Sequence, residues 1–457
     1  MRGAGSFPRR AFREHDVPDS FPFPLPDTPA DMRATPLLVG LSGGLDSTVL
    51  LHRLAHDATQ RARGLRAIHV HHGLHADADA WAEQCTRLCA SLGIPLEVVQ
   101  VAVARHGGEG LEAAARHARH AAFESALREN EILVLAHHRD DQAETFLLRA
   151  LRASGVDGLA AMRPWRRYGR GWLWRPLLAM ARATLHAYAH AHALTWIEDP
   201  SNDDTAHDRN FLRHRVLPLL QSRWSQADVA FARAASLQSE AAALLSDEDH
   251  AALASARTID RQCLQVDVLL ALDAPRRARV LRLWLSILGL PRLPAEGVAR
   301  IERDLLGDAR GAAPAFAWRD AVVRRWRDLL WAGTSLPALP GDFREHWNGN
   351  APLALPDGGS LRLFHSAIAH DEAASPALPF VVHARVGGER IRLPGRRHDH
   401  ALKHVLQDLG VPPWVRARLP LLSDAQGRLL AAGNLVFSAD FDAWLRTGRR
   451  RLAWDAA

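Results

Sequence analysis

Lysine occurs once in the 457 residues, at Lys403, so all but one of the 57 basic residues are arginine. A GC-rich genome would drift that way, but the scarcity has a chemical consequence. No Gly-Lys-Ser/Thr triplet exists, which excludes a Walker-type phosphate loop, and no lysine Schiff base can form in the first 402 residues. A phosphate site there has to use main-chain N–H groups, arginine, histidine or a metal. Cysteine is nearly as rare, with three residues, which excludes a disulfide scaffold. Cys85 and Cys89 are four apart, the spacing of one helix face and not of a C-x-x-C pair, and Cys263 stands alone. Three reduced structural thiols in a cytoplasmic protein are expected. No apolar run approaches the ~18 residues a bilayer requires, so no membrane partner is expected. The Pro-rich residues 1–33 lack the apolar segment of a secretory signal and read as a disordered extension.

What is present is globular: 47% apolar and 24% charged residues, in a length that suits two to four domains. The net charge of +6 and the pI near 10.1 admit a polyanionic partner without requiring one. From Pro36 onward, short apolar runs alternate with helical patterns. Leu37–Leu41, Leu65–His71, Pro95–Val103 and Ile132–Ala136 read as strands. Residues 45–54, 77–92, 109–129 and 141–152 read as helices. That alternation implies βαβ crossovers and a buried, Rossmann-like parallel sheet, with ligands at the carboxyl ends of its strands. Residues 153–176 read as a long Arg/Trp-rich connection, 209–255 and 275–306 as helical, and 336–377 as a Pro/Gly-rich linker.

The first strand runs directly into Ser42-Gly43-Gly44-Leu45-Asp46-Ser47 and a helix. Two glycines let the main chain turn sharply and approach a ligand. The helix behind them offers unsatisfied N–H groups and the positive end of its dipole. Together these bind phosphate without lysine. Asp46 would repel bare phosphate, so its place is beside magnesium or a leaving pyrophosphate. A plain helix cap is the simpler alternative. The element resembles the PP-loop of the N-type ATP pyrophosphatases. The resemblance implies cleavage of ATP between the α and β phosphates, with Ser42, Gly43, Gly44, Leu45, Asp46 and Ser47 on the nucleotide.

Further segments narrow the resemblance. One is Ala67–Leu74, with His69, His71 and His72 at the end of the second strand. Another is the helix around Glu109–Arg119, where Glu112, Arg116 and Arg119 share a face, as ordinary intrahelical ion pairs also would. A third is His137-His138-Arg139-Asp140-Asp141-Gln142-Ala143-Glu144, in which Asp141 and Glu144 also suit a capping box. Arg175–Leu178 and the polar stretch Ile197–Asn202 with Asp208–Arg213 follow, then Arg385–Trp414. These segments are similar to the tRNA(Ile)-lysidine synthase family from about residue 34 to 440. The resemblance implies ATP, magnesium, free L-lysine and tRNA(Ile) with a CAU anticodon as the reacting set. It places His69 and Arg116 on ATP, and Arg119, Arg209, Arg213, Arg390 and Lys403 on tRNA. Asp46, Asp140, Asp141 and Glu144 are the expected catalytic acids, with Asp46 and Asp141 as magnesium ligands. A free lysine must shed a proton before it attacks, and a nearby carboxylate or histidine could take it.

The organisation so implied is the extension 1–33, a PP-loop catalytic domain 34–222, a helical tRNA-binding domain 223–335, the linker 336–377 and a small α+β tRNA-binding domain 378–457. A homodimer is left open. Arginine and tryptophan interleave over residues 163–175, as a surface for RNA would require, or as a solvated loop with an aromatic hairpin core would show. His400 and His404 stand where the family tends to carry lysine. Two competing readings remain: a PP-loop tRNA thiolase, for which paired catalytic cysteines are missing, and a catalytically idle tRNA-binding protein.

Overall fold

The computed structural model describes residues 25–103, 111–307, 314–364 and 379–456. The chain divides into two compact units, Met1–Ser246 and Asp247–Ala457. The first is built on a six-stranded sheet: β1 (Leu37–Gly40), β2 (Leu65–His71), β3 (Leu96–Gln100), β4 (Ile132–Val134), β5 (Trp165–Tyr168) and β6 (Gly171–Trp174). The spatial order is β3-β2-β1-β4-β6-β5, parallel except for β5, which runs antiparallel to β6. Helices α1 (Leu45–Ala55), α2 (Ala58–Ala62), α3 (Ala78–Leu92), α4 (Leu111–Ala126) and α5 (Arg139–Leu151) connect or follow the strands.

β1 and β4 are fully buried, and their uninterrupted apolar runs pack against helices on both faces. β1 feeds outward to β2, whereas β4 lies on its other side, so the strand order reverses between them. Ligands of doubly wound sheets bind in the crevice at such a point. Here the two turns that meet in it are the one after β1, carrying Ser42–Ser47, and the one after β4, carrying His137–Asp141.

Several expectations need correction. Residues 153–176 are not a plain connection, because β5 and β6 form a hairpin closed by Gly169 and Arg170 that extends the sheet. Trp174 is wholly buried and stacks on Trp165, with ring centroids 5.1 Å apart. A Cβ on Gly171 would lie 2.0 Å from the Glu131 carbonyl, so only glycine lets β6 come this close. The third strand is shorter than expected and ends at Gln100. Residues 1–24 of the expected extension, with Glu109 and Gly110, lie outside the described residues. Residues 25–33 are part of the fold: Met32 is buried in the sheet's core. Arg63 holds them by donating to Met32 O (2.8 Å), Thr35 O (2.9 Å) and Thr28 Oγ1 (3.0 Å).

In the second unit, the region expected to be helical also contains a four-stranded antiparallel sheet. It is formed by Cys263–Gln265, Ala315–Trp318, Ala321–Trp326 and Leu329–Thr334, and packs on the helix Ala274–Ile287 through the buried Trp284. The expected linker 336–377 contributes strands instead. Arg344–Trp347 pairs with Phe380–His383, and Ser360–Phe364 pairs with Arg451–Asp455, so these residues complete the C-terminal sheets. Its Pro and Gly residues punctuate short strands.

Candidate active site

The turn after β1 is held by its own hydroxyls. Ser47 Oγ donates to Gly44 O (3.1 Å) and accepts from Ser42 N (3.2 Å), and the two serine oxygens lie 3.0 Å apart. Thr48 Oγ1 donates to Gly43 O (3.2 Å). Thr48 N begins the α1 ladder on Gly44 O, so the amides just before it are first-turn donors aimed out of the helix. Gly43 has φ +84°, and a Cβ there would meet Ile197 Cδ1 at 2.3 Å and Cys85 Sγ at 3.0 Å. Ile197 N donates to Gly43 O (2.9 Å) and clamps the turn from above. The Leu45 side chain is buried, so only its amide can face a nucleotide.

His69 lies near the carboxyl end of β2, beside this turn. Its Nδ1 lies 2.9 Å from Leu41 O, a carbonyl that can only accept, so Nδ1 carries the proton and Nε2 keeps a lone pair. Burial lowers its pKa, opposed by the Leu41 bond, and the ring is neutral. The expected contact with ATP is therefore limited to a donor such as a ribose hydroxyl; a cationic grip on phosphate does not fit. Cys85 and Cys89 are buried behind the turn, and desolvation pushes their thiols up to about 12 and about 11. Both behave as structural residues.

His138 caps α5 and is 1% exposed at its side chain. Its Nδ1 lies 3.4 Å from Asp140 Oδ2, and its Nε2 lies 3.6 Å from Asp46 Oδ2 and 3.5 Å from Asp141 Oδ2. Neither ring nitrogen makes a hydrogen bond of good geometry, so these are contacts between charges. Burial alone would lower its pKa. Asp140, Asp46 and Asp141 overcome that and raise it to about 9, so the ring is an imidazolium at neutral pH. It ties the turn after β1 to the turn after β4.

The four expected catalytic acids separate into two groups. Asp46 Oδ1 is buried with no partner, the only carboxylate oxygen so left among the described residues. Asp140 Oδ2 accepts from Arg182 N (3.0 Å). Asp141 and Glu144 are instead consumed by arginine. Glu144, fully buried, accepts from Arg209 Nε and Arg213 Nε, both at 2.6 Å. Asp141 Oδ1 accepts from Arg209 Nη2 (2.9 Å) and Arg213 Nη2 (3.0 Å), and its Oδ2 accepts from His138 N (3.0 Å). Desolvation would raise the Asp141 pKa, but His138 and Arg209 hold it well below the carboxylate range. Both Asp141 oxygens accept protein hydrogen bonds, and Arg209 and Arg213 turn their Nε and Nη2 groups on these internal carboxylates.

His137 lies in the turn after β4, where Arg175 Nε donates to its Nδ1 (3.3 Å). Burial drives its pKa well below 6.5, so it is neutral. Arg116 and Arg119 stand on α4 with Arg166 and Arg175 nearby. After burial, their charges push His120 down to about 4. His120 is spent on the Tyr168 hydroxyl, 2.8 Å away. Arg390 and Lys403 lie in the second unit. Arg390 Nη2 donates to Asp399 O (2.6 Å), and Lys403 is exposed on the helix Leu402–Asp408. Sequence reasoning gave no site role to Arg182 or His186, although the Arg182 N–H donates to Asp140 and the charges of both Arg182 and Asp46 act on the His186 ring; their distance along the chain conceals it.

A parallel sheet whose first βα turn is a lysine-free anion cradle with an acid on its first helical turn defines a PP-loop protein, and the PP-loop domain model matches residues 25–220. The TilS substrate-binding domain matches 264–331, and the TilS substrate C-terminal domain 380–454. A tRNA(Ile)-lysidine synthase of Xanthomonas axonopodis pv. citri is 54% identical over 95% of this chain and 96% of its own. That of Xylella fastidiosa strain 9a5c is 50% identical over 96% and 98%, and that of Alkalilimnicola ehrlichii 44% over 89% and 91%. The chain belongs to the tRNA(Ile)-lysidine synthase family.

Proposed function

We propose that the chain joins L-lysine to C2 of the wobble cytidine of tRNA(Ile) with a CAU anticodon, consuming ATP and releasing AMP and pyrophosphate. The family membership supports the reaction, and the turn after β1 supports the chemistry. The cytidine C2 oxygen attacks the α-phosphorus and the bond to pyrophosphate breaks. The ε-amine of lysine then attacks C2, the C2–O bond breaks, and AMP leaves while the amine loses its proton.

The Gly43–Ser47 amides and the α1 dipole hold the phosphates, where positive potential stabilises the departing charge. The orphaned Asp46 oxygen fits magnesium, which takes one or two carboxylates together with substrate phosphates. The ion would supply neutralisation of phosphate charge there. His138 keeps Asp46 and Asp140 in register. We assign the proton of the attacking amine to Asp140, which lies across His138 from Asp46. Glu144 and Asp141, with Arg209 and Arg213, fix the distal wall of the cleft. Residues 34–222 would thus carry the chemistry, while 223–335 and 378–457, with Arg390 and Lys403, hold the RNA. Reduced thiols and a tRNA substrate fit the cytoplasm, and no described helix is long and apolar enough to cross a membrane.

The turn after β1 is the observation that carries this reading. AMP release from ATP should require both unmodified tRNA and L-lysine. Release that needs tRNA but not lysine would assign another nucleophile, and no release at all would leave an RNA-binding protein. The thiolase alternative is disfavoured by the burial of Cys85 and Cys89, which pushes their thiols up to about 12 and about 11.

A further inference from the structure

Two helices of the first unit begin at the cleft. Helix α1 follows the phosphate turn, and the helix Arg182–Ala191 starts where Arg182 N donates to Asp140 Oδ2. They share one apolar core, and their carboxyl ends meet about 15 Å from the cleft. Three histidines stand there: His52 in the last turn of α1, His56 at its C-cap, and His192 at the C-cap of the other helix.

The rings form one cluster. Those of His52 and His56 have centroids 4.0 Å apart, and those of His52 and His192 5.1 Å apart. His52 and His56 are four residues apart, the spacing with which one helix face offers two imidazoles to a metal ion. His56 Nδ1 lies 2.8 Å from His52 O, a carbonyl that can only accept, so Nδ1 carries the proton and Nε2 keeps its lone pair. His52 Nδ1 lies 3.0 Å from the Tyr188 hydroxyl; with the phenol as acceptor, Nε2 of that ring is open too. One ring nitrogen tied by a hydrogen bond while the other stays open is the arrangement that orients a metal-bound histidine.

The surroundings favour a cation. Two helix carboxyl ends bring the negative ends of their dipoles to the cluster. Arg53, on the same turn of α1, pairs with Asp57 (3.1 Å), so its charge is balanced. Burial, followed by the charges of His56 and His192, pushes His52 down to about 4, and burial followed by His56 lowers His192. Both rings are therefore neutral at pH 7 and have lone pairs to give. The rings are stacked and not yet converged, and among the described residues no three such groups already surround an ion. His56 and His192 are exposed, so both are free to turn toward the half-buried His52.

We propose that His52, His56 and His192 form a binding site for zinc, with a fourth position open to water. Imidazole nitrogens suit zinc and not magnesium, which separates this site from the cleft. The ion would join the far ends of the two helices whose near ends carry the phosphate turn and the Asp140 anchor. Its role is to stabilise the first unit, and it takes no part in ligation.

The test titrates the chelator-treated, full-length protein with zinc chloride in saturating magnesium, by calorimetry, and repeats the titration on His56→Gln and His192→Gln. Both substitutions fall at exposed positions, and the lysine-dependent AMP release measured in magnesium alone should stay at the wild-type level. The wild type should bind one equivalent of zinc that each variant binds at least about 100-fold more weakly. Zinc at about 100-fold excess over its Kd should raise the wild-type Tm by about 5 °C and leave both variants unmoved. Cobalt in place of zinc should give the visible absorption of a four-coordinate site in the wild type alone. Zinc binding that survives unchanged in either variant, or no zinc bound by the wild type at micromolar concentration, overturns the proposal.

Discussion

Two charged neighbourhoods flank the start of α5, one around Glu144 on that helix and one around Asp46 on α1, and they have opposite character. Around Glu144 every carboxylate oxygen is matched by a donor: two arginines take both Glu144 oxygens and Asp141 Oδ1, the His138 main-chain N–H takes Asp141 Oδ2, and the glutamate has no exposure. Around Asp46 the charges are left incomplete. One carboxylate oxygen has no partner, His138 makes no good hydrogen bond, and the Arg182 Nε has no acceptor. A folded chain tolerates buried polar groups of the second kind mainly where a substrate or ion completes them. The saturated cluster builds the wall, and the incomplete one marks the place of reaction.

The sharpest break of this contrast is Asp46→Asn. It should reduce lysine-dependent AMP release by about 10³-fold or more while tRNA binding stays near wild type; equal loss of both would make Asp46 a fold residue. Next comes Glu144→Gln, which leaves Arg209 and Arg213 without their main counter-charge. Urea unfolding of the first unit should show a loss of about 3–5 kcal/mol, and a stable, inactive variant would return Glu144 to the substrate site. Gly43→Ala forces a side chain into a left-handed conformation against Ile197 and Cys85. Nucleotide affinity measured by calorimetry should fall about tenfold or more.

A smaller effect concerns pH. The His138 pKa is raised from 6.5 in the unfolded chain to about 9 in the folded one. Its stabilising contribution is therefore complete below pH 6.5 and lost as pH rises through about 9. The Tm advantage of wild type over His138→Gln should shrink across pH 6.5–9.5, and a constant difference would show that the ring is not an imidazolium. The smallest effect belongs to Cys85→Ala with Cys89→Ala. It should cost about 1–2 kcal/mol of stability and leave turnover within about twofold, whereas a thiol-dependent enzyme would lose its activity.

Local grammar made the core of the first unit legible. The buried runs Leu37–Leu41 and Ile132–Ala136, each followed by a turn and a helix, specify adjacent parallel strands and put their two turns in one crevice. The hairpin Trp165–Trp174 was legible only as an alternative to an RNA surface, because its arginines suggest solvent while Gly169-Arg170 between alternating aromatics is a hairpin signal. The strands within 336–377 pair with residues far along the chain, and no local pattern announces that. The acids of the site were legible as a set but not as individuals. Asp140, Asp141 and Glu144 look equivalent along the chain, and only Arg209 and Arg213, more than sixty residues away, distinguish them. Arg63 and Arg182 were invisible for the same reason.

The central claim is a phosphate grip made of main-chain amides with Asp46 beside it. A crystal structure of the enzyme with magnesium and a non-hydrolysable ATP analogue tests it directly. The phosphates should lie on the Gly43–Ser47 amides, with Asp46 Oδ1 on the metal. A nucleotide bound with its phosphates away from that turn, or with Glu144 released from its arginines to take the metal, would contradict the account.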